Sequence, residues 1–365
     1  MRIAFLHRQL RGGGTEADLR RMATGLAARG HALHVFCARA DADVPGAVVH
    51  RVPVVRGGRL VRLLSFAWLA PRLAARDGFD VIVGFGRTAR QDLVRVGGGT
   101  HRSYLARMEA AGLRSRRRGP YHRAILALER RQFAPSGHKR VLAVSALVRD
   151  EIVADYGVAP DHVRVVYNGV DLDHFRPTAD RAAARQALGV ADGPVCLAIG
   201  TGFVRKGFDL LLRLWAKAPP PARLVIVGDD ERLGRWQARA ADAGGRVQVV
   251  GPRSDVERWL AAAEVLVAPS RQEAFGNVVL EACAAGVPVV TSRRSGAAEL
   301  LAPPLTALLV DDPEDLDALG DAIRRALGPE HGRFAGAARA LAEAHPWERH
   351  LDELEALLHE VAGAA

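Results

Sequence analysis

Short apolar runs alternate with amphipathic stretches along the first half of the chain. The apolar runs are bounded by polar or glycine-containing stretches, which is the pattern of buried strands. The runs that predict strands are residues 2–7, 31–37, 48–52, 79–85, 94–97, 141–145 and 163–166. Helical patterns over about 16–28 and 60–76 lie between them. This alternation predicts a mostly parallel sheet with helices on both faces.

A second series of the same kind follows a polar stretch at 171–181, which contains Pro177 and predicts a linker. Its predicted strands are residues 194–200, 222–228, 246–250, 264–268, 287–291 and 306–310. We therefore expect an α/β fold of two doubly wound, Rossmann-like domains, residues 1–170 and 171–345, that face each other across a cleft. The closing segment 346–365 predicts an amphipathic helix that packs back toward the first domain.

Composition supports a folded protein and says little about its partners. The chain has 365 residues, of which 49% are hydrophobic and 25% are charged, and this length suffices for two ordinary cores. Three widely spaced cysteines form no metal-ligand pattern and indicate a reducing compartment. The amino terminus lacks the features of a signal peptide, and the most apolar window, 60–75, is interrupted by Arg62 and Arg72. We therefore expect a cytoplasmic protein.

The formal net charge is +10, which permits contact with nucleic acid, anionic lipid or phosphorylated substrates. Arginines are concentrated in the segment 102–131, where apolar residues are interleaved. This segment is either a solvated face or a surface for peripheral contact with an anionic membrane. It lacks the motifs of nucleic-acid-binding domains, so we expect no nucleic-acid partner.

Two glycine-rich loops of the first series are candidate ligand sites. The loop at Gly12, Gly13 and Gly14 follows the first strand and precedes a helix, as phosphate sites do, but it does not match the G-x-G-x-x-G pattern of dinucleotide enzymes. Asp18 follows this loop and is either the acidic half of a capping box or an acceptor for a sugar hydroxyl. His101 follows a second glycine loop, and is either a surface residue or a ligand-binding residue.

The second series supplies a predicted diphosphate clamp. Arg205 and Lys206 follow its first strand, with glycines on both sides. A guanidinium binds two phosphate oxygens at once, while an ammonium supplies a point charge. We expect Lys206 to be exposed, so that its replacement would lower turnover far more than stability.

Two glutamates stand in the stretch 268–299. Glu273 is predicted on the loop after a buried strand, and Glu281 on the helix that follows. Backbone N–H groups near Gly276 belong to the first turn of that helix, where donors are unpaired and attract anions. Alone, the two glutamates are more typical of a solvated helix than of a ligand site. Together with Arg205 and Lys206 they predict a site for a diphosphate with several hydroxyls.

Four motifs, in this order, carry a resemblance to a known family: the loop 12–14 with Asp18, the segment 167–171, the sequence 205–207, and the stretch from Glu273 to Glu281. The chain resembles glycosyltransferase family 4, with its two-domain GT-B arrangement, over nearly its full length. The loop before Asp18 and the segments 128–133 and 272–274 make it similar to bacterial lipopolysaccharide core glucosyltransferases, which add glucose to an inner-core heptose.

The resemblance implies a role for each matching residue of the second domain. Arg205 and Lys206 would hold the donor diphosphate, Glu281 the ribose, and Glu273 the hydroxyls of the transferred sugar. The predicted backbone contacts to phosphate or sugar are at Phe275, Gly276 and Asn277. The nucleotide base would lie near Arg253.

The first domain would contribute Asp18, Gly13 and Gly14 to the donor, and His101 would lie near the reaction centre. The resemblance implies transfer with retention and without a metal ion or other cofactor. No Asp-x-Asp pair stands in the loops at the predicted cleft, and Arg205 with Lys206 would replace the charge of a cation.

The implied donor is a nucleotide-sugar, UDP-glucose, and the implied acceptor is a glycan or glycolipid of the cell envelope. Two alternatives stay open on the same fold. One is a sugar-nucleotide epimerase or hydrolase. The other is a transferase that uses GDP-mannose or UDP-GlcNAc on another lipid or capsule acceptor.

Overall fold

A computed structural model describes residues 1–10, 14–41, 43–112, 119–191, 193–243 and 245–363. The chain forms two compact units, one comprising Met1–Tyr167 with Glu348–Ala365 and the other Asn168–Trp347. The strands are β1 (Arg2–Leu6), β2 (Gln9–Leu10), β3 (Ala32–Cys37), β4 (Arg39–Ala40), β5 (Ala47–Arg51), β6 (Val81–Gly84), β7 (Leu93–Val96), β8 (Arg140–Ala143), β9 (Val163–Val165), β10 (Val195–Thr201), β11 (Arg223–Asp229), β12 (Val247–Gly251), β13 (Val265–Ala268), β14 (Val289–Ser292) and β15 (Leu309–Val310).

The α-helices alternate with these strands. They are α1 (Gly14–Ala28), α2 (Arg59–Ala74), α3 (His101–Ala110), α4 (Pro120–Gln132), α5 (Ala146–Tyr156), α6 (Arg181–Leu188), α7 (Phe208–Lys217), α8 (Leu233–Ala241), α9 (Val256–Ala261), α10 (Asn277–Ala284), α11 (Leu316–Leu327), α12 (His331–Glu343) and α13 (Trp347–Gly363).

The first unit is built on a seven-stranded parallel sheet in the order β5-β3-β1-β6-β7-β8-β9. Its central strands are almost fully buried, because their runs of Ile, Val, Leu and Phe are covered by helices on both faces. A short two-stranded sheet, β2 with β4, extends two of these strands and was not predicted. The strand order reverses between β1 and β6, so the loops that follow these two strands lie at the switch point.

The second unit is a six-stranded parallel sheet in the order β12-β11-β10-β13-β14-β15. This is the 3-2-1-4-5-6 order of a doubly wound, Rossmann-like fold. Its switch point lies between β10 and β13. The loop after β10 carries Arg205 and Lys206, and the loop after β13 carries Glu273. The two predicted doubly wound sheets are confirmed.

The last helix, α13, belongs to the first unit from Glu348 onward. It packs against α1 so closely that a Cβ added at Gly25 would lie 2.4 Å from Leu351 Cδ1. Arg29, directly after α1, donates to Glu355 of α13 at 2.7 Å. The helix is thus held by apolar packing along one face and by ion pairs at the edge.

One further prediction is corrected in detail. Residues 306–310 are mostly not a strand, because Leu305–Leu308 forms a 3-10 helix and β15 contains only two residues. The basic segment 102–131 contains helices α3 and α4, while residues 113–118 within it lie outside the described part of the chain. Among the described residues, none of the helices has the length and apolarity needed to cross a membrane.

Candidate functional site

The loop from β10 to α7 depends on glycines for its shape. Gly202 and Gly207 have φ angles of +72° and +73°, in the left-handed region that side chains disfavour. Gly207 also lies against the loop after β13, since a Cβ there would be 2.1 Å from the carbonyl oxygen of Pro269. The loops that carry Arg205, Lys206 and Glu273 are therefore in direct contact.

This contact brings two cations to one carboxylate. Arg205 Nη1 donates to Glu273 Oε2 at 2.9 Å and to the carbonyl oxygen of Gln272 at 2.9 Å. Lys206 Nζ forms an ion pair with the same oxygen of Glu273. The structure thus brings together three residues that the sequence analysis predicted from segments 67 or more positions apart.

The electrostatics of this cluster favour an anion. Burial alone would raise the pKa of the Glu273 carboxyl, but Lys206 and Arg205 outweigh burial and lower that pKa to about 2. The carboxylate is therefore ionised at neutral pH, and the three charges leave a net positive charge at the switch point. This positive charge would attract the negatively charged oxygens of a diphosphate.

Lys206 is not exposed, contrary to our expectation. Only 8% of the residue is accessible, and its aliphatic stem covers the backbone of Gly200, where a Cβ would lie 2.7 Å from Lys206 Cε. The positive φ of Gly200, +154°, and the absence of a side chain there allow this packing. The ammonium group is consequently held in a fixed position beside Glu273.

The start of α10 forms the next part of the site. Gly276 precedes the helix with a φ of +95°, and a Cβ there would lie 3.2 Å from Glu273 Cγ. Only 2% of Phe275 is accessible, and its carbonyl oxygen accepts from Ser295 Oγ at 2.8 Å and from the Ala297 backbone N–H at 2.9 Å. The Asn277 side chain accepts a hydrogen bond from Asn168 Nδ2 at 2.7 Å. Glu281 is half-buried and one helical turn after Asn277, on the same helix face.

Arg271 supports the site and was missed by the sequence analysis. Its buried guanidinium pairs with Asp209 at 2.5 Å and with Glu314 at 2.6 Å, and its backbone N–H donates to the carbonyl oxygen of Arg205 at 2.9 Å. Burial would lower its pKa, but the hydrogen bonds to these carboxylates raise it instead. Arg271, in the loop after β13, therefore links this loop to the loop after β10 and to the start of α7. An arginine directly before Gln272 was the only local signal.

Arg253, the predicted neighbour of the nucleotide base, lies on an exposed loop after β12. Both its Nε and its Nη2 donate to the Asp255 carboxylate, at 2.9 and 2.8 Å. In the described part of the chain, Arg253 makes no hydrogen bond or ion pair with the Arg205, Lys206 and Glu273 cluster. Its proposed contact with a base stays a prediction.

In the first unit, Asp18 is a buried ion-pair residue. Helix α1 begins at Gly14, so Asp18 lies beyond the first turn in which a capping-box residue would stand. Its carboxylate accepts from Arg95 Nη2 of β7 at 3.0 Å. This correction follows from the earlier helix start, which the sequence pattern placed at residue 16. Gly14 is the first residue of α1, while Gly13 lies outside the described residues.

His101 is the first residue of α3 and is buried rather than on the surface. Its Nε2 shares a hydrogen bond with His122 Nδ1 of α4 at 2.8 Å. Burial, together with the charge of Arg87 and the neighbouring His122, lowers the pKa of His101 to about 4. The imidazole is therefore neutral at physiological pH.

A buried carboxylate that the sequence analysis did not assign holds the start of α3. Glu129 of α4 accepts from the His101 backbone N–H at 2.8 Å, from the Tyr156 hydroxyl at 2.5 Å and from Arg87 Nη2 at 3.0 Å. Burial and the Glu129 charge raise the pKa of Tyr156, so its hydroxyl stays a donor. Glu129 thereby fixes the backbone that carries the His101 imidazole.

Comparison with protein families matches both units of the chain. A family model described as "Glycosyltransferase Family 4" matches residues 12–174. A model described as "Glycosyl transferases group 1" matches residues 193–328.

Curated relatives match almost the whole length. The chain is 28% identical over 359 residues to the lipopolysaccharide glucosyltransferase WaaG of Escherichia coli, and the match covers 93% of each chain. It is 32% identical over 366 residues to a probable transglycosylase of Burkholderia thailandensis, covering 96% of this chain and 94% of that one.

Solved structures show the same fold. The crystal structure of WaaG has a TM-score of 0.82 at 24% identity, covering 98% of this chain and 99% of that one. Anabaena HepE, solved in complex with UDP and glucose, has a TM-score of 0.77 at 21% identity, covering 98% and 99%. These neighbours have the GT-B architecture, which confirms the predicted fold class.

Proposed function

Because the chain belongs to glycosyltransferase family 4, we propose that it transfers a hexose, with retention and without a metal ion, from a nucleotide-sugar to a cell-envelope glycan. The proposed donor is UDP-glucose and the proposed acceptor is a lipopolysaccharide core or a related glycolipid. The full-length similarity to WaaG supports this choice of acceptor, and the HepE complex with UDP and glucose supports the choice of donor.

The cluster of Arg205, Lys206 and Glu273 at the switch point of the second unit carries the proposal. Doubly wound sheets bind nucleotides at this position, outside the carboxyl ends of the strands. Arg205 and Lys206 would bind the donor diphosphate, and Glu273 would accept hydrogen bonds from hydroxyls of the transferred sugar. The backbone near Gly276 and Asn277 would add donors to the phosphate or sugar, and Glu281 would bind the ribose.

The two cations also account for departure of the nucleotide. As the bond from the sugar C1 to the diphosphate oxygen breaks, negative charge develops on that oxygen. Arg205 and Lys206 would stabilise this charge, the role that a metal ion takes in other transferases. The acceptor hydroxyl forms the new bond to C1, and its proton passes to the departing phosphate oxygen, so that transfer is balanced without another reactant.

Residues of the first unit would complete the reaction. His101, a neutral imidazole held by His122 and by the capped start of α3, would act near the reaction centre. Asp18, paired with Arg95, and the loop at Gly13 and Gly14 would contribute to the donor site. We further propose peripheral contact with an anionic membrane through the segment 102–131, on the cytoplasmic side, where nucleotide-sugars are available.

A direct transfer assay tests the proposal. Purified protein is incubated with UDP-glucose and a lipopolysaccharide core acceptor, with and without a chelator, and the product linkage is assigned by NMR. We expect the transferred glucose to be α-linked, and we expect the rate of transfer to be the same with and without the chelator. A β-linked product would refute retention, and loss of activity on chelation would refute metal independence.

The same donor without acceptor separates transfer from the epimerase or hydrolase alternative. A transferase converts UDP-glucose slowly when no acceptor hydroxyl is present. Rapid formation of free glucose or of an epimerised nucleotide-sugar would favour the alternative instead.

A thermal-shift panel tests the donor. A ligand that binds the native state raises the melting temperature according to its affinity and concentration. We expect UDP-glucose to give a larger shift than GDP-mannose, UDP-GlcNAc or CDP-sugars at equal concentration. A larger shift with GDP-mannose or UDP-GlcNAc would instead favour that donor, with a lipid or capsule acceptor.

A further inference from the structure

A cluster of two histidines and a glutamate lies at the edge of the first unit, away from the residues assigned above. His31 precedes β3, while Glu355 and His359 stand four positions apart on α13. One ligand atom from each residue lies within 4.8 Å of the other two. From this geometry we propose that the three side chains form a binding site for a transition-metal ion, of which zinc is the expected occupant.

The ligand chemistry fits zinc. Imidazole nitrogens and carboxylate oxygens are zinc ligands, with bonds of about 2.0–2.2 Å, and three protein ligands leave a fourth position for water. Residues four apart on a helix face the same side, so Glu355 and His359 approach one ion together. His31 supplies the third ligand from another element, which makes the site specific to the folded unit.

The carboxylate is already oriented for such an ion. Arg29 Nη1 holds Glu355 Oε2 at 2.7 Å, and Asp352 shares the same guanidinium at 2.8 Å. The other oxygen, Oε1, faces His31 Nε2 at 2.7 Å. This His31 contact is shorter than the spacing of two ligands around zinc, about 3.3 Å for tetrahedral geometry, so the ion would enter by opening that hydrogen bond. Arg29 would remain as the group that orients the metal-binding carboxylate.

Metal binding would fasten α13 to the sheet. The ion would join the start of β3 to a point near the end of the last helix. Any ligand that binds only the native state adds stability that depends on its concentration, so zinc would act here as a structural ion. This site is independent of the metal-free transfer proposed above, because it involves none of the residues assigned to the donor.

Zinc and cobalt binding test the proposal directly. The chain is used without a histidine tag, because added histidines bind the same ions, and metal is first removed with a chelator. Titration calorimetry with zinc gives stoichiometry and affinity, and the visible absorption of bound cobalt reports its geometry. We expect one equivalent of zinc, a cobalt spectrum of low coordination number, and a higher melting temperature with zinc.

Variants locate the site. His359→Ala removes an exposed ligand and Glu355→Gln removes the anionic one, and each should weaken zinc binding about 10-fold or more. His162→Ala removes an exposed histidine of the same unit that is outside the cluster, and should bind zinc as the natural chain does. Absence of stoichiometric binding, or unchanged binding by His359→Ala when that variant is folded, would overturn the proposal. Neither result depends on transferase activity.

Discussion

Glu273, which we propose binds the transferred sugar, also affects the stability of the chain. It is only 16% accessible and is ionised because Lys206 and Arg205 lower its pKa to about 2. A depressed carboxyl pKa contributes stability that is fully present above the unfolded value, near 4.5, and is lost as the pH falls toward the folded value. The acid stability of the chain should therefore depend on this residue.

Glu273→Gln tests this linkage. At pH 7 the variant leaves the buried Lys206 and the half-buried Arg205 without their anion, so we expect its free energy of unfolding to be lower by about 2–3 kcal/mol. The difference from the natural chain should shrink as the pH falls from 5 to about 2, because the natural carboxyl also becomes neutral. Urea denaturation at several pH values measures it. A difference that does not change with pH would contradict the assigned pKa.

Lys206→Met separates charge from packing at the same cluster. Methionine keeps the aliphatic contact with Gly200 but removes the ammonium. We expect transfer to fall about 100-fold or more, together with a loss of stability of about 1–3 kcal/mol, because Glu273 keeps only Arg205. Lys217→Met, on an exposed position at the end of α7, is the matched control and should leave both unchanged. Undiminished transfer in Lys206→Met would show that the diphosphate binds elsewhere.

At the scale of elements, the loop from β10 to α7 contains two glycines with nearly equal φ angles and different surroundings. Gly202 faces open space, whereas a Cβ at Gly207 would lie 2.1 Å from a backbone oxygen. Gly202→Ala should cost about 1–2 kcal/mol for the left-handed conformation alone. Gly207→Ala should cost more and weaken UDP binding, since the loops must separate. Chemical denaturation and calorimetry compare the pair, and equal costs would contradict the contact.

Helix α3 offers a second test at this scale. Glu129→Gln replaces a buried acceptor of three hydrogen bonds by an amide, and Tyr156→Phe removes only one donor. We expect Glu129→Gln to lower stability by about 2–4 kcal/mol and Tyr156→Phe by about 1 kcal/mol. If His101 acts in transfer, Glu129→Gln should also lower kcat more than it changes the KM for donor. A stable Glu129→Gln protein with normal kcat would show that the capped start of α3 is dispensable.

The elements themselves could be predicted from the sequence because local patterns determine them. Apolar runs place β3 and β10 within one residue, and Gly276 with the following apolar residues places α10. Residues 306–308 were wrongly predicted as part of a strand and lie in the 3-10 helix Leu305–Leu308, since a short apolar run does not distinguish a strand from a 3-10 turn.

Two sets of ion-pair partners distant in sequence could not be predicted. Asp18 and Arg95 are 77 positions apart, and Arg271 meets Asp209 and Glu314 across 62 and 43 positions. Nothing near these residues distinguishes a buried ion pair from surface charges, because only the sheet order brings them together. The Arg205, Lys206 and Glu273 cluster was predicted because each member follows a strand that a doubly wound sheet places at its switch point.

At the scale of the whole molecule, two features would attract the protein to an anionic membrane. One is the net charge of +10, and the other is a local surface on helices α2 and α4. Helices α2 and α4 pack through Leu63, Ala67, Ile125 and Leu128. Beside this contact, Trp68 is 40% accessible, and the guanidiniums of Arg72 and Arg131 lie 5.4 and 5.9 Å from its ring centroid. An exposed tryptophan among arginines is typical of residues at a lipid interface.

Charge reversal in each unit decides between the two explanations. Arg123→Glu with Arg130→Glu alters exposed positions of α4, and Arg213→Glu with Arg235→Glu alters exposed positions of the second unit. Both double variants lower the net charge equally. Each basic residue near an anionic bilayer contributes about 1 kcal/mol, so the α4 variant should bind phosphatidylserine vesicles about 10–100-fold more weakly in flotation assays, while the control binds almost normally. Equal weakening of both variants would mean that overall charge, rather than the α2 and α4 surface, attracts the protein to lipid. If the natural chain binds neutral and anionic vesicles equally, an electrostatic contact is excluded.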